Sequence, residues 1–147
     1  MRRGLIWIGI LIVVGIGALI FRDRLSSNAG ELKVGDCFDD PAGATEVNDV
    51  QHHPCTESHT AEVVYLAKMD GEDSAYPADS SVEAWVTSNC LPAWSTYTGR
   101  NIQTEEVLTL GWYQPTNEGW SKGDRLVICY GGRVDLAPMT SSIKAAS

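Results

Sequence analysis

Hydrophobic and polar positions divide the chain into two unequal parts. Gly4 to Phe21 reads GLIWIGILIVVGIGALIF, without a charge or a proline. At ~1.5 Å rise per residue a helix of this length spans about 27 Å, close to the ~30 Å hydrocarbon core of a bilayer. A secretory signal usually has an apolar region of only about 7–15 residues. Ser27-Asn28-Ala29 offers a small-residue cleavage pattern, but arginines precede it, and no Cys follows closely enough for lipoprotein attachment. A retained single-pass anchor over residues 1–24 is therefore expected, with residues 25–31 as a polar linker. Gly9, Gly15 and Gly17 lack the four-residue spacing of a pairing motif and read as small residues tolerated in a lipid-facing helix.

From Leu32 onward the pattern becomes that of a globular domain, expected over residues 32–136 with a flexible tail at 137–147. Glu31 to Phe38 reads as a strand, followed by a turn containing Pro41 and Gly43. Val47 and Val50 hint at a second short strand. Thr60 to Met69 is a clearer one, enriched in β-branched and aromatic residues. One helix is predicted. Ser80 and Glu83 have capping-box spacing; Val82, Trp85, Val86, Asn89, Cys90, Ala93, Trp94 and Tyr97 recur at three- and four-residue steps; Gly99 suits the C-terminal cap. Pro92 falls inside it, predicting a kink or two short helices meeting near Cys90. Val107 to Tyr113 and Arg125 to Tyr130 read as later strands, separated by turn residues Pro115, Asn117 and Gly119. The sum is an α+β domain with a mostly antiparallel sheet.

Charge narrows the partners. Of 147 residues 19 are acidic and 11 are Lys or Arg, for a net charge of -8. Four of the arginines, Arg2, Arg3, Arg22 and Arg24, flank the apolar run, so from Leu25 onward 7 basic residues face 18 acidic ones. Such a surface repels phosphate backbones and anionic headgroups, and a nucleic-acid partner is not expected. The flanking arginines nearly balance, so the positive-inside rule does not orient the anchor. Cysteine content does: Cys37, Cys55, Cys90 and Cys129 are an even set in a small module, the mark of a disulfide framework in an oxidising compartment. The domain is thus expected outside the cell membrane, with the N-terminus cytoplasmic. Three pairings exist. Cys37–Cys55 with Cys90–Cys129 is favoured, because Cys90 lies on the apolar helix face and Cys129 in the last strand. Loops of those sizes are worth roughly 3 and 4 kcal/mol in the chain-entropy model. No CxxC pair supports a redox role.

The runs LKVGDCF (Leu32 to Phe38), PCTESHTAEVVY (Pro54 to Tyr65) and WSKGDRLVICY (Trp120 to Tyr130) resemble the septum-formation domain family. Its most recognisable piece is the block Cys-x-x-x-His-x-x-Glu-Val, carried by Cys55, His59, Glu62 and Val63. That family is typical of membrane-anchored or secreted actinobacterial proteins. The resemblance implies a cell-envelope protein linked by name to division, and it carries over no catalytic residues.

Several clusters invite chemistry. His52, His53, Cys55 and His59 crowd into eight positions and suggest zinc. Yet zinc sites draw on two well-spaced ligand pairs, Cys55 is needed for a disulfide, and adjacent His52 and His53 point apart in a strand. Asp36, Asp39 and Asp40, or Asp70 with Glu72 and Asp73, offer oxygen ligands for calcium but lack the alternating spacing of a dedicated loop. No metal or cofactor is expected. All three His fall in one segment and no nucleophile-elbow pattern occurs, so no catalytic constellation is assigned. Trp85 and Trp94 belong to the helix face and read as core. Trp112, Tyr113 and Trp120 lie near turns, where rings are interface candidates for a sugar or a partner protein as well as core fillers. The reading that follows is a non-enzymatic, anchored domain binding another envelope or membrane protein. The alternatives are an accessory subunit held in a larger complex by its helix, and a binder or processor of cell-wall polymer.

Overall fold

The computed structural model describes residues 26–41, 49–71 and 75–146. The expected anchor at Gly4 to Phe21 lies outside the described residues, as do Val47, Glu72 and Asp73. Among the described residues no helix is long and apolar enough to cross a membrane.

Six strands form one sheet: β1 (Ser26–Asn28), β2 (Cys37–Asp39), β3 (Asp49–His53), β4 (Ala61–Lys68), β5 (Leu108–Tyr113) and β6 (Leu126–Arg133). Their spatial order is β1-β3-β2-β4-β6-β5, and every described pairing is antiparallel. Helix α1 (Asp79–Thr98) covers one face, and a short α2 (Asn117–Ser121) joins β5 to β6. This is the expected α+β architecture, with strand β1 found inside the segment read as linker.

Strand β4 shows how sequence becomes layers. Ala61, Val63 and Leu66 join Phe38, Val50, Tyr113 and Ile128 on one face, whereas Val64 and Tyr65 join the helix side. Two successive residues share a face because the register slips between Val63 and Tyr65, a bulge of one extra residue against β6. On the helix side Val82, Val86, Cys90 and Trp94 pack onto Val64, Val127 and Cys129. Each fully buried large apolar side chain there stabilises the fold by roughly 1.5–3 kcal/mol. Disulfides close Cys37–Cys55 and Cys90–Cys129, the favoured pairing, and the second fastens α1 to β6.

Four local expectations are corrected. Glu31 to Phe38 is not one strand: a 3-10 turn (Ala29–Glu31) precedes a tight turn at Gly35 (φ 93°), and pairing starts only at Cys37. There the Lys33 N–H donates to the Asp36 carboxylate at 2.8 Å, so the polar side chain captures the backbone that a strand would need. Helix α1 begins after Ala78, which offers no side-chain cap, so the Ser80–Glu83 capping box does not form at its start. Of the two outcomes expected at Pro92, the break into two short helices does not occur: Cys90 and Trp94, both fully buried, hold one continuous helix on either side of the exposed proline. Gly99 does cap it, in the left-handed conformation (φ 67°). Between β5 and β6 the expected turn is a helical turn, capped by Thr116, which accepts from the Gly119 N–H at 2.8 Å.

Residues 137–146, read from the sequence as a tail, return to the domain. Met139 exchanges two backbone hydrogen bonds with His59, at 3.0 and 2.7 Å, and the Ala145 N–H donates to the Tyr97 carbonyl at 2.9 Å. Met139 and Ile143 join the helix-side core.

Candidate binding site

The returning segment defines the site. Cys37, Glu62, Gly131 and Leu110 are register partners across β2, β4, β6 and β5, so they form one row on the helix side of the sheet. Glu62 sits in the middle of that row and is 0% exposed. Burying a carboxylate is costly unless hydrogen bonds replace its water. Three donors do so: the Tyr97 hydroxyl at 2.5 Å and the Ser142 hydroxyl at 2.7 Å reach Oε1, and the Ile143 N–H reaches Oε2 at 2.7 Å. Two of the three come from residues 137–146. Burial first, and then the bond to Glu62, push the Tyr97 phenol well above its ordinary value. Beside the carboxylate, Gly131 leaves the space that Ile143 fills: a Cβ there would stand 2.3 Å from the Ile143 Cδ1.

His59 flanks this site. It is also 0% exposed; its Nδ1 donates to the Glu57 carbonyl at 2.8 Å, while its Nε2 has no hydrogen-bond partner. Cys55, His59, Glu62 and Val63, one block in the sequence, therefore serve four structural ends: a disulfide, a buried ring paired by its backbone to Met139, a receptor for the returning segment, and core on the other face.

A recess of about 530 Å³ lies beside the segment, where the end of α1 and the start of β5 meet residues 138–146. Arg100, Arg133 and Lys144 line it, three of the 7 basic residues from Leu25 onward. Arg100 pairs with Glu105 at 2.9 Å and Arg133 with Asp135 at 2.6 Å. Each arginine, by donating to its partner, holds that carboxyl down at about 2.

On the other face Asp40 accepts from the Tyr113 hydroxyl and, at 3.1 Å, from the Tyr130 hydroxyl, and its N–H donates to Thr60. Burial raises both phenols; the hydrogen bond to Asp40 raises Tyr113 further, and the Asp40 charge does the same to Tyr130. The Tyr130 ring lies across Gly111, where a Cβ would stand 2.5 Å from it. A cavity of about 280 Å³ opens beside Asp40, Thr60, Thr109 and Tyr130.

The sequence-derived candidates scatter. His52 faces Asp36 at 3.4 Å, His53 faces Asp39 at 2.8 Å, His59 is in the core and Cys55 is in a disulfide, so the four do not converge. Glu62 lies near both sulfurs of Cys37–Cys55, but those sulfurs are bonded to each other. Asp36, Asp39 and Asp40 each take a different partner, and Asp70 is exposed. Of the three interface rings, Tyr113 (3% exposed) and Trp120 (4%) are core. Arg125 lies 3.8 Å over the Trp120 ring, which also makes a T-shaped contact with Tyr76. Trp112 alone stays half-exposed, its Nε1 donating to Gln114 at 3.4 Å. Turn proximity did not mean exposure, because β5 alternates its rings into the two cores. Sequence reasoning missed Ser142 and Ile143; Met139 and Ile143, apolar residues in a polar run, are the only trace of docking.

No curated protein and no solved structure matches the chain. The family described as septum formation matches residues 33–136, which takes in both disulfides, Glu62 and Asp40 but stops short of the returning segment. Covering more than two thirds of the chain, that match places it in the septum-formation family.

Proposed function

We propose that this chain is a membrane-anchored, non-enzymatic interaction domain that works on the outer side of the cell membrane in septum formation and binds another envelope or membrane protein. Membership of the septum-formation family gives the cell-division setting. The observation that carries the rest is the pair of closed disulfides, which small domains keep in oxidising compartments. Together with the apolar run at Gly4 to Phe21, they favour an external domain on a single-pass anchor. Four of the side chains suited to acid–base chemistry are already engaged, Glu62 and Asp40 by tyrosines and His52 and His53 by aspartates, and His59 is shut away from solvent in the core. That favours binding over turnover.

Crosslinking the full chain in native membranes, followed by identification of the captured species, tests the reading. A reproducible envelope or membrane protein is expected. Four free thiols in protein from its native host would remove the external placement. Exchanging Gly4 to Phe21 for an unrelated apolar helix should leave capture unchanged; its loss would mark a helix-held accessory subunit instead. Turnover of isolated cell-wall polymer would restore the enzymatic alternative.

A further inference from the structure

We infer that the groove around Glu62 is a recognition site for an extended peptide segment carrying a hydroxyl residue followed by an aliphatic one, and that residues 137–146 are its resident occupant. This deepens the binding reading by naming the site and the class of partner.

The receiving side is built wholly within the family-matched region: the His59 backbone, the Glu62 carboxylate, the Tyr97 carbonyl and hydroxyl, and the bare floor at Gly131. The occupant lies wholly beyond it. Its attachments are of a kind that any extended chain can offer. Main-chain bonds form at Met139 and Ala145, and selectivity comes from one hydroxyl (Ser142), the N–H after it (Ile143) and one aliphatic side chain over Gly131. Main-chain pairing for affinity, with side-chain positions for specificity, is the general logic of extended-peptide recognition. An aliphatic side chain fits at Gly131 because the floor has no Cβ, and a hydroxyl fits at Ser142 because the carboxylate needs a donor.

The occupant's covalent link is the other half of the argument. It leaves β6 through a turn in which Leu136 is 74% exposed and held at φ 59°, a conformation that costs a non-glycine residue free energy. Apart from Met139 and Ile143, residues 138–146 are exposed. Without them, Glu62 would keep only Tyr97 of its three hydrogen-bond donors. The site therefore has a standing demand for a hydroxyl and an N–H, which a partner's segment can meet once the resident leaves.

The test uses the full chain with a protease site inserted at Leu136, so that cutting turns residues 137–147 into a separate peptide. A fluorescent copy of that peptide is then added and its anisotropy followed. The cut protein should bind it saturably. The uncut protein should not, because a tethered occupant competes at an effective concentration of about millimolar. Peptides carrying Ser142→Ala or Ile143→Gly should bind about tenfold more weakly or worse, the equivalent of one charge-assisted hydrogen bond or one buried aliphatic group. A Ser142→Thr peptide should be retained. Three results overturn the inference: no binding by a cut protein that keeps its near-ultraviolet dichroism and both disulfides, equal binding of the altered peptides, or unfolding on cutting, which would make the segment part of the fold. A membrane-protein partner captured in spite of any of these would leave the binding reading standing and move its surface elsewhere.

Discussion

Glu62 and Asp40 lie on opposite sides of one sheet, and each is met by tyrosine hydroxyls. Their supports differ in origin. Asp40 is held by Tyr113 and Tyr130, both in strands of the central sheet, and keeps some exposure. Glu62 is fully buried and takes two of its three hydrogen bonds from a segment with no regular structure. The same chemistry thus does two jobs. Where every donor belongs to the frame, a carboxylate fastens strands to one another. Where the donors come from a terminal segment, it becomes a receptor whose satisfaction depends on that segment staying in place.

Alkali should have the largest effect, because it strikes both sites together. Tyr97, Tyr113 and Tyr130 are all raised above the ordinary phenol value of about 10. The folded chain therefore keeps protons that the unfolded chain gives up above that pH. Stability should be intact below about pH 10 and fall steadily above it. Denaturation midpoints across that range check the sign, and three phenols that ionise normally in the folded protein would refute it.

Next comes removal of each carboxylate. Glu62→Ala leaves the donors of Tyr97, Ser142 and Ile143 without their shared, fully buried acceptor and should cost about 3 kcal/mol, whereas Asp40→Ala, nearer solvent, should cost about 1–2 kcal/mol. Equal losses in urea unfolding would erase the distinction between receptor and fastener.

The two close-packed glycines sharpen it further. Gly111→Ala drives a methyl into the Tyr130 ring and should cost about 1–3 kcal/mol by overpacking. Gly131→Ala meets the tip of Ile143, a flexible end that can move away, so it should cost less than about 1 kcal/mol while loosening the segment. Limited proteolysis near Leu136 should then speed up in Gly131→Ala and not in Gly111→Ala.

The smallest effect belongs to the two ion pairs at the rim of the recess. Glu105 and Asp135 are held down at about 2 by Arg100 and Arg133, so what they contribute is present above about pH 4 and lost as pH falls through about 2. Both pairs are screened by water and salt. Replacing either arginine with Gln should barely move the neutral-pH midpoint and should flatten only this acid limb.

Much of the frame could be read directly. The apolar steps from Val82 to Tyr97 gave a helix, and the β-branched run at Thr60 to Met69 gave the central strand, because each periodicity is set by local backbone geometry. The disulfide pairing followed once Cys90 was on the buried helix face. Local reading failed where a side chain captured the backbone, as at Asp36, or where neighbours on both sides held a helix through Pro92. It left Tyr113 and Trp120 open between interface and core, because proximity to a turn says nothing about which face a ring enters.

What the sequence alone determined is what depends on neighbours along the chain: the apolar run, the acidic balance, the helix, the main strands, and a family block linking Cys55, His59, Glu62 and Val63. Tertiary structure alone decided what that block does, because the partners of Glu62 stand 35, 80 and 81 positions away. Hydrogen bonds at such separations form only after the sheet has aligned its strands and the helix has been stapled to it. No window along the chain contains both ends of such a bond.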